Sequence, residues 1–217
     1  MDYAAARKHM VESQVRTNDV TSRRVQDAMA RIPREVFLPG DLRDQAYVER
    51  ELSYAPGRRM LTARDFSKLL AAANPEASDV VLDIGCGTGY STAVIASLAE
   101  MVVAVESDEA LAGAAQDNLL SLDINNAAVI TGDLKAGAAK QGPFDLIFIG
   151  GAVGAVPETL LAQLKEGGRL ATILRNRGVS RGVVYTKSAG AVAPREVFDA
   201  RAAVVLPEFE IPKTFVF

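Results

Sequence analysis

A mainly apolar run at residues 80–84 contains an acid, and closely spaced glycines follow it. Asp83 precedes the glycines, which stand at alternate positions, Gly85, Gly87 and Gly89. Glycine permits sharp backbone turns and lets a ligand approach where a Cβ atom would collide. Amides at the start of a following helix would face that ligand with positive partial charge. The pattern therefore predicts a cofactor-binding loop at the carboxyl end of a parallel strand.

Two further carboxylates stand where the next predicted strands end. Glu106 closes the apolar run that begins at Met101, and Asp133 follows the run at residues 127–131. In open α/β sheets, ligands bind beyond the carboxyl ends of the strands. An acid after the second strand can accept both ribose hydroxyls, and one after the third can accept an adenine amino group. Either acid alone could equally be a solvated strand-end residue, but their spacing around the glycine loop favours a nucleoside-containing cofactor.

The glycine spacing separates two classes of cofactor. A dinucleotide-binding fingerprint reads G-x-G-x-x-G, whereas this chain reads G-x-G-x-G with an acid two residues before it. That combination resembles motif I of the class I S-adenosylmethionine-dependent methyltransferases. The resemblance implies S-adenosyl-L-methionine as cofactor, with Asp83 close to its cationic amino-acid end. The residues implied at its site are Asp83, Gly85, Gly87, Gly89, Glu106, Asp133 and Leu134.

Length and composition restrict the class of protein further. The chain has 217 residues, 49% of them hydrophobic, with one cysteine and one histidine. We expect a single methyltransferase domain over residues 1–217, with a helical N-terminal cap at 1–75 and a cofactor-binding α/β core at 76–217. A lone cysteine excludes an internal disulfide framework, and one cysteine with one histidine argues against a zinc site. No signal peptide or membrane-length apolar run is evident, so we expect a cytoplasmic protein without a membrane partner.

Charge is spread unevenly around a net value of −3. Residues 1–75 hold 13 basic and 10 acidic side chains, residues 76–150 hold 2 and 11, and residues 151–217 hold 9 and 6. The acidic middle third would repel a phosphate-rich ligand and suits a cationic sulfonium. We therefore expect no nucleic-acid partner. The basic flanks favour an anionic acceptor, such as a protein or peptide substrate that bears a carboxylate.

Hydrophobic periodicity predicts the elements that position these residues. Helical spacing marks Val25–Ile32 and Phe66–Ala73, and Thr62 with Asp65 resembles a capping box at the start of the second helix. Further helices are predicted at 91–98, 111–122 and 157–164, an exposed turn at 189–194, and strands at 80–84, 101–105, 127–131, 144–149, 169–174, 182–186 and 197–206. Apolar strands with helical crossovers indicate an α/β fold with a doubly wound, seven-stranded, mostly parallel Rossmann-like sheet, whose last two strands are antiparallel.

Several segments outside the glycine loop resemble the protein-L-isoaspartate O-methyltransferase family. Residues 25–39, VQDAMARIPREVFLP, resemble a helix ending in VPRExFVP, and residues 157–170, PETLLAQLKEGGRL, resemble IPxxLxxQLxxGGRL. Shorter matches lie at Gln45–Tyr47, Gly132–Leu134 and Gly142–Ile147. The resemblance implies methyl transfer to the carboxylate of L-isoaspartyl residues in damaged proteins. A carboxylate is ionised near neutral pH, so this reaction needs no general base.

The chain departs from the family at residues 57–63, GRRMLTA, where the family reads GQTISQP. Leu61 stands at the position of the family's serine, and Thr62 is the nearest hydroxyl. Arg58 and Arg59 replace Gln and Thr, so they could clamp an anionic acceptor or be surface charges beside a helix start. The catalytic candidates are therefore Thr62, Arg58 and Arg59.

Two other functions stay open at this stage. The substitutions at residues 57–63 favour a divergent family member that binds S-adenosylmethionine but has a different acceptor or no isoaspartyl activity. A nicotinamide oxidoreductase is the other alternative, because an acid at Glu106 also suits a dinucleotide ribose. His9 lies far from the strand ends in sequence, so we expect a surface or packing residue rather than a catalyst.

Overall fold

Strands and helices alternate from residue 80 to residue 131, as the periodicity predicts, and strands predominate from residue 144 onward. The computed structural model describes residues 1–211. Its strands are β1 (Leu52–Ala55), β2 (Arg58–Met60), β3 (Val80–Ile84), β4 (Met101–Glu106), β5 (Ala127–Thr131), β6 (Phe144–Val153), β7 (Leu164–Asn176), β8 (Val179–Ser188) and β9 (Ala191–Asp199). Its α-helices are α1 (Tyr3–Met10), α2 (Arg23–Arg31), α3 (Ala63–Ala73), α4 (Tyr90–Ala96), α5 (Glu109–Ser121) and α6 (Glu158–Leu161).

One sheet holds seven of the strands in the order β5-β4-β3-β6-β7-β8-β9. Neighbouring strands from β5 to β7 are parallel, and β8 and β9 join them as antiparallel strands. The predicted doubly wound, seven-stranded sheet is therefore confirmed. The chain order reverses at β3, which lies between β4 and β6, and such a reversal opens a crevice at the carboxyl ends of the strands.

The central strands are buried on both faces of the sheet. Val81 packs into one hydrophobic cluster, while Leu82 and Ile84 pack into another, and none of the three has exposed surface. Alternate residues of a strand point to opposite faces, so both faces of β3 are covered. This burial explains why the strand is apolar at every position except Asp83, which therefore stands out.

The helix before β3 begins and ends where the sequence predicts. Thr62 is its N-cap, and its Oγ1 accepts a hydrogen bond from the Asp65 amide over 3.1 Å. Asn74 ends the helix with a left-handed φ of 46°, and Pro75 follows. Among residues 1–211, none of the helices combines the length and apolarity that crossing a bilayer requires.

The predicted antiparallel pair at the far edge of the sheet is confirmed, but the bounds of the last strand and of the turn before it are wrong. The turn predicted at 189–194 ends at Gly190, because residues 191–194 belong to β9, and this strand ends at Asp199 rather than at Leu206. Strand β9 pairs with β8 at the edge, and most of its residues are exposed or only partly buried. An edge strand with so little buried surface lacks the apolar run that marks the other strands. The helix predicted at 157–164 is also shorter, because Leu164 already belongs to β7.

The N-terminal region is helical, as expected, but it also contains a hairpin that periodicity does not reveal. Strands β1 and β2 pair antiparallel around a turn at Pro56 and Gly57, where Gly57 has a φ of 68°. Side chains alternate along β2, so Arg58 is buried while Arg59 is exposed. His9 lies exposed on α1, as expected.

Candidate active site

The glycine loop lies at the carboxyl end of β3 and requires its glycines. Gly85, Gly87 and Gly89 have φ values of 69°, 57° and 97°, which L side chains rarely adopt. A Cβ atom on Gly87 would stand 1.8 Å from the hydroxyl of Tyr54, and one on Gly89 would stand 3.2 Å from Cβ of Ala115. The loop therefore brings bare backbone to the edge of the sheet, and α4 begins directly after it.

Asp83 is fully buried beneath this loop. Its Oδ2 accepts hydrogen bonds from Ser91 Oγ and Thr92 Oγ1, both over 2.7 Å. Its Oδ1 has no hydrogen-bond partner among residues 1–211. Burial raises the pKa of Asp83 to about 6, against the opposing effect of the two hydroxyl groups. The site thus contains a buried acceptor with one free oxygen.

Glu106 connects the glycine loop to the end of β4. Its side chain is fully buried, and Oε2 accepts a hydrogen bond from the Gly87 amide over 2.9 Å. Its Oε1 accepts from the amides of Ser107 and Asp108 over 2.8 and 3.1 Å. Asp83 and Glu106 are therefore both buried next to the glycine loop.

The third predicted acid, Asp133, follows β5 and is exposed. It accepts a hydrogen bond from the Lys135 amide over 2.9 Å. Leu134 beside it is fully buried in the core, and one of its methyl carbons would lie 3.5 Å from a Cβ atom on Gly85. Asp133 is thus at the predicted edge of the sheet, while Leu134 packs under the loop.

Arg58, one of the candidates for the acceptor, instead pairs with Glu106. Its Nη2 lies 2.6 Å from Oε1 of Glu106 and 2.6 Å from Oε1 of Glu208, and its Nε lies 3.1 Å from Oε2 of Glu106. Burial alone would lower the pKa of Arg58, but hydrogen bonds and the charges of both glutamates raise it above its ordinary value. Arg58 therefore lies within the predicted cofactor site.

The other candidates lie around the start of α3. Thr62 is buried and serves as the N-cap of the helix, while Arg59 is exposed at the rim of the same crevice. Leu61 is 4% exposed and lines the crevice. No hydroxyl therefore replaces the family's serine at residue 61, and Thr62 uses its oxygen to begin the helix.

Sequence reasoning missed Arg34 and Tyr90, which also line the crevice. The Arg34 side chain is buried and donates from Nε to the Ala46 carbonyl over 2.8 Å and from Nη2 to the Leu61 carbonyl. Its Nη1 and the Tyr90 hydroxyl have no hydrogen-bond partner in the part of the chain that the structure describes. The guanidinium carbon lies 5.0 Å from the centre of the Tyr90 ring. Two features of the sequence could have identified these residues: Arg34 lies in the IPRE segment, and Tyr90 directly follows the third glycine of the loop.

The chain's own side chains fill most of the crevice. The remaining cavity has a volume of about 30 Å³, which holds one or two water molecules. Tyr54 lies over Gly87, Leu206 lies against Gly85 and Gly151, and Arg58 covers Glu106. The chemical groups fit S-adenosylmethionine, because free acceptor capacity on Asp83, the carboxylate of Glu106 and a bare glycine loop are all present. In this closed arrangement, the hairpin and the segment around Leu206 lie directly against the glycine loop.

Three features define the chain as a class I methyltransferase of the S-adenosylmethionine-dependent type. They are the parallel sheet with its reversed strand order, the glycine loop at β3 and the acid at the end of β4. The family profile of protein-L-isoaspartate(D-aspartate) O-methyltransferases matches residues 5–201. The chain belongs to this family.

Individual relatives agree with this assignment. A protein-L-isoaspartate O-methyltransferase of Koribacter versatilis is 35% identical over 92% of this chain and 90% of its own length. One of Shewanella sediminis is 38% identical over 80% of this chain and 71% of its own length. A solved structure of a protein-L-isoaspartate O-methyltransferase superposes with a TM-score of 0.81 at 25% identity, covering 94% of this chain and 67% of that one. A Plasmodium falciparum protein, solved in complex with S-adenosyl-L-homocysteine, has the same fold, with a TM-score of 0.80 at 20% identity over 93% of this chain and 98% of its own.

Proposed function

We propose that the protein transfers a methyl group from S-adenosylmethionine to the free carboxylate of L-isoaspartyl residues in damaged proteins. The observation that carries the proposal is the hydrogen bond from the Gly87 amide to Glu106. This bond holds Glu106, the carboxylate that would accept the ribose hydroxyls, against the glycine loop in a chain that belongs to this family.

Each acidic residue has a distinct part in holding the cofactor. Glu106 would accept hydrogen bonds from the ribose hydroxyls, Asp133 from the adenine amino group, and Oδ1 of Asp83 from the cationic ammonium group. When bound, S-adenosylmethionine supplies a methyl group on a positively charged sulfur, which is already an activated leaving group. The chain contributes alignment and the exclusion of water.

The acceptor carboxylate needs a positive partner rather than a base, because it is already ionised near neutral pH. Arg58 is paired with two glutamates, and Thr62 caps a helix. Arg34 and Tyr90 are better placed, since both are buried at the crevice with a donor that has no partner within residues 1–211. We assign Arg34 Nη1 and the Tyr90 hydroxyl to the acceptor carboxylate.

A second function is favoured by two observations. Leu61 cannot donate a hydrogen bond where the family carries serine. Arg58 pairs with the Glu106 carboxylate that would otherwise hold the cofactor. Both suit a divergent member that methylates a different carboxylate or only binds the cofactor.

The test is transfer of a labelled methyl group from S-adenosylmethionine to a synthetic isoaspartyl peptide. We expect base-labile methyl ester on the peptide. Cofactor binding without peptide methylation would support the second function, and absence of both would overturn the first proposal. The division into a cap at residues 1–75 and a core at 76–217, and the cytoplasmic location, stay predictions.

A further inference from the structure

A buried cluster of three charges joins separate parts of the chain at the mouth of the crevice. Arg58 comes from the hairpin, Glu106 from the end of β4 and Glu208 from the short 3-10 turn Pro207–Phe209. Ser107 completes the cluster, because its Oγ donates to Oε1 of Glu208 over 2.7 Å. The side chain of Arg58 is 5% exposed and that of Glu208 is 26% exposed, so the cluster has a buried centre and one edge that faces solvent.

Apolar and backbone contacts hold the same two segments together. A Cβ atom on Gly57 at the hairpin turn would stand 2.5 Å from Cγ of Pro207, so the turn lies directly on the C-terminal segment. Leu206 fills the space beside Gly151, where a Cβ atom would be 2.9 Å from its Cγ. The Leu206 amide donates to the Ala152 carbonyl over 2.8 Å, which fixes this segment to β6.

Stability alone is a weak reason for such a cluster. Withdrawing an arginine and two carboxylates from water has a large desolvation cost, and well-packed apolar side chains would often stabilise a fold equally well. Glu106 also already has three backbone amides as donors, so it does not depend on Arg58 for its hydrogen bonds. The contact therefore points to a role in controlling what else reaches Glu106.

We propose that the hairpin and the segment Leu206–Glu208 form a latch that closes the cofactor groove. The latch closes by placing an arginine on the carboxylate that would hold the cofactor. Arg58 donates to the carboxylate that would accept ribose hydroxyls, and Tyr54 fills the space above Gly87. Cofactor enters only after Arg58 leaves Glu106, so its apparent affinity is reduced by the fraction of molecules that are closed. This inference rests on the proposed function for the identity of the entering ligand, but the latch itself can be observed without any ligand.

The lone cysteine of the chain reports directly on the latch. Cys86 lies in the glycine loop, is 5% exposed and lines the small cavity together with Tyr54 and Arg58. Burial raises the pKa of its thiol well above the ordinary value, and the nearby acids act in the same direction. Because only an exposed thiolate reacts, alkylation of Cys86 measures how often the latch opens.

The variant Glu208→Gln removes one charge from the latch and leaves the cofactor-binding residues intact. Its matched control is Glu210→Gln, since Glu210 is exposed two residues further along. Intact-protein mass spectrometry follows Cys86 alkylation in folded, ligand-free protein, and circular dichroism verifies the fold. We expect alkylation to accelerate about tenfold in Glu208→Gln, which corresponds to the loss of one charge-assisted hydrogen bond, and to stay at the wild-type rate in the control.

A second variant, Arg58→Gln, removes the positive charge that joins Glu106 and Glu208, and it should also accelerate the alkylation of Cys86. If both variants fold and react at the wild-type rate, the latch is overturned. Titration with S-adenosylhomocysteine then separates this proposal from the proposed function. Faster alkylation with tighter binding supports both, whereas faster alkylation in proteins that never bind S-adenosylhomocysteine supports the latch and contradicts the function.

Discussion

The Gly87 amide donates a hydrogen bond to Oε2 of Glu106 over 2.9 Å, while Arg58 donates to both oxygens of the same carboxylate. One carboxylate is thus shared by the cofactor loop and by a residue that blocks it. The loop contact reflects the common architecture of the fold, in which the ends of β3 and β4 are adjacent. The arginine contact joins the hairpin to the same carboxylate, and in the proposed latch it turns cofactor binding into a competition within the protein.

Replacing Glu106 tests its place in the cofactor site, provided that the latch is removed first. In the Arg58→Gln background, adding Glu106→Gln should weaken S-adenosylhomocysteine binding about tenfold or more, because a charge-assisted acceptor for the ribose is lost. Isothermal titration calorimetry measures the change, with the exposed Glu109→Gln as control. Equal affinities with and without Glu106 would remove this residue from the site.

Tyr90→Phe deletes one hydroxyl and keeps the ring that packs against Phe37 and Phe66. Loss of a donor to the acceptor carboxylate should raise KM for an isoaspartyl peptide about tenfold, with an unchanged Kd for S-adenosylhomocysteine. Steady-state kinetics and calorimetry separate the two quantities. A change in the Kd with a constant KM would instead assign the hydroxyl to the carboxylate of the cofactor.

Leu61→Ser restores the family's hydroxyl at a buried position. We expect it to lower the free energy of unfolding by about 3 kcal/mol, because a buried leucine is lost and a cavity is left. Urea denaturation measures this loss, and Leu61→Ala provides the matched control. Higher turnover of isoaspartyl peptide in the serine variant than in the alanine variant would show that the hydroxyl helps the acceptor. Equal turnover would show that the chain recognises the acceptor without it.

The pKa of Asp83 makes a prediction about the dependence of stability on pH. Burial raises this pKa from 3.8 to about 6 in the folded protein. The folded state therefore holds more protons than the unfolded state between these pH values. Ionised Asp83 destabilises the folded state, and this effect is largest above pH 6. Relative to Asp83→Asn, wild type should lose up to about 3 kcal/mol of stability between pH 4 and pH 7.

Urea denaturation of both proteins across this pH range provides the measurement. Asp117→Asn serves as the control, because Asp117 is exposed on α5. A constant stability difference between wild type and Asp83→Asn at every pH would contradict the raised pKa.

The central strands and the cofactor loop could be predicted from the sequence because their signals are local. Strand β3 has the predicted bounds, since a buried parallel strand gives a nearly unbroken apolar run. Strand β5 also has the predicted bounds, although it forms one edge of the sheet and is partly exposed. The N-cap of α3 at Thr62 could also be predicted, because its signal lies within residues 62–65. At the opposite edge, β9 is exposed or partly buried and lacks such an apolar run, so the predicted bounds of this strand are wrong.

The role of Arg58 could not be predicted, because it depends on residues that are distant in sequence. Glu106 lies 48 positions away and Glu208 lies 150 positions away. The same sequence pattern suits an arginine that clamps a substrate and one that pairs with the chain's own acids. Only the folding of the hairpin onto the C-terminal segment decides between them. Arg34 and Tyr90 were missed for a similar reason, since their unpartnered donors become apparent only once the crevice is assembled.

The central claim is that this protein methylates isoaspartyl carboxylates, and one comparison tests it most directly. Wild-type protein is incubated with labelled S-adenosylmethionine and either an isoaspartyl peptide or the aspartyl peptide of the same sequence, and base-labile methyl ester is counted. We predict ester on the isoaspartyl peptide and none above background on its aspartyl twin. Equal labelling of the two peptides, or no labelling of either by a protein that binds S-adenosylhomocysteine, would contradict the claim.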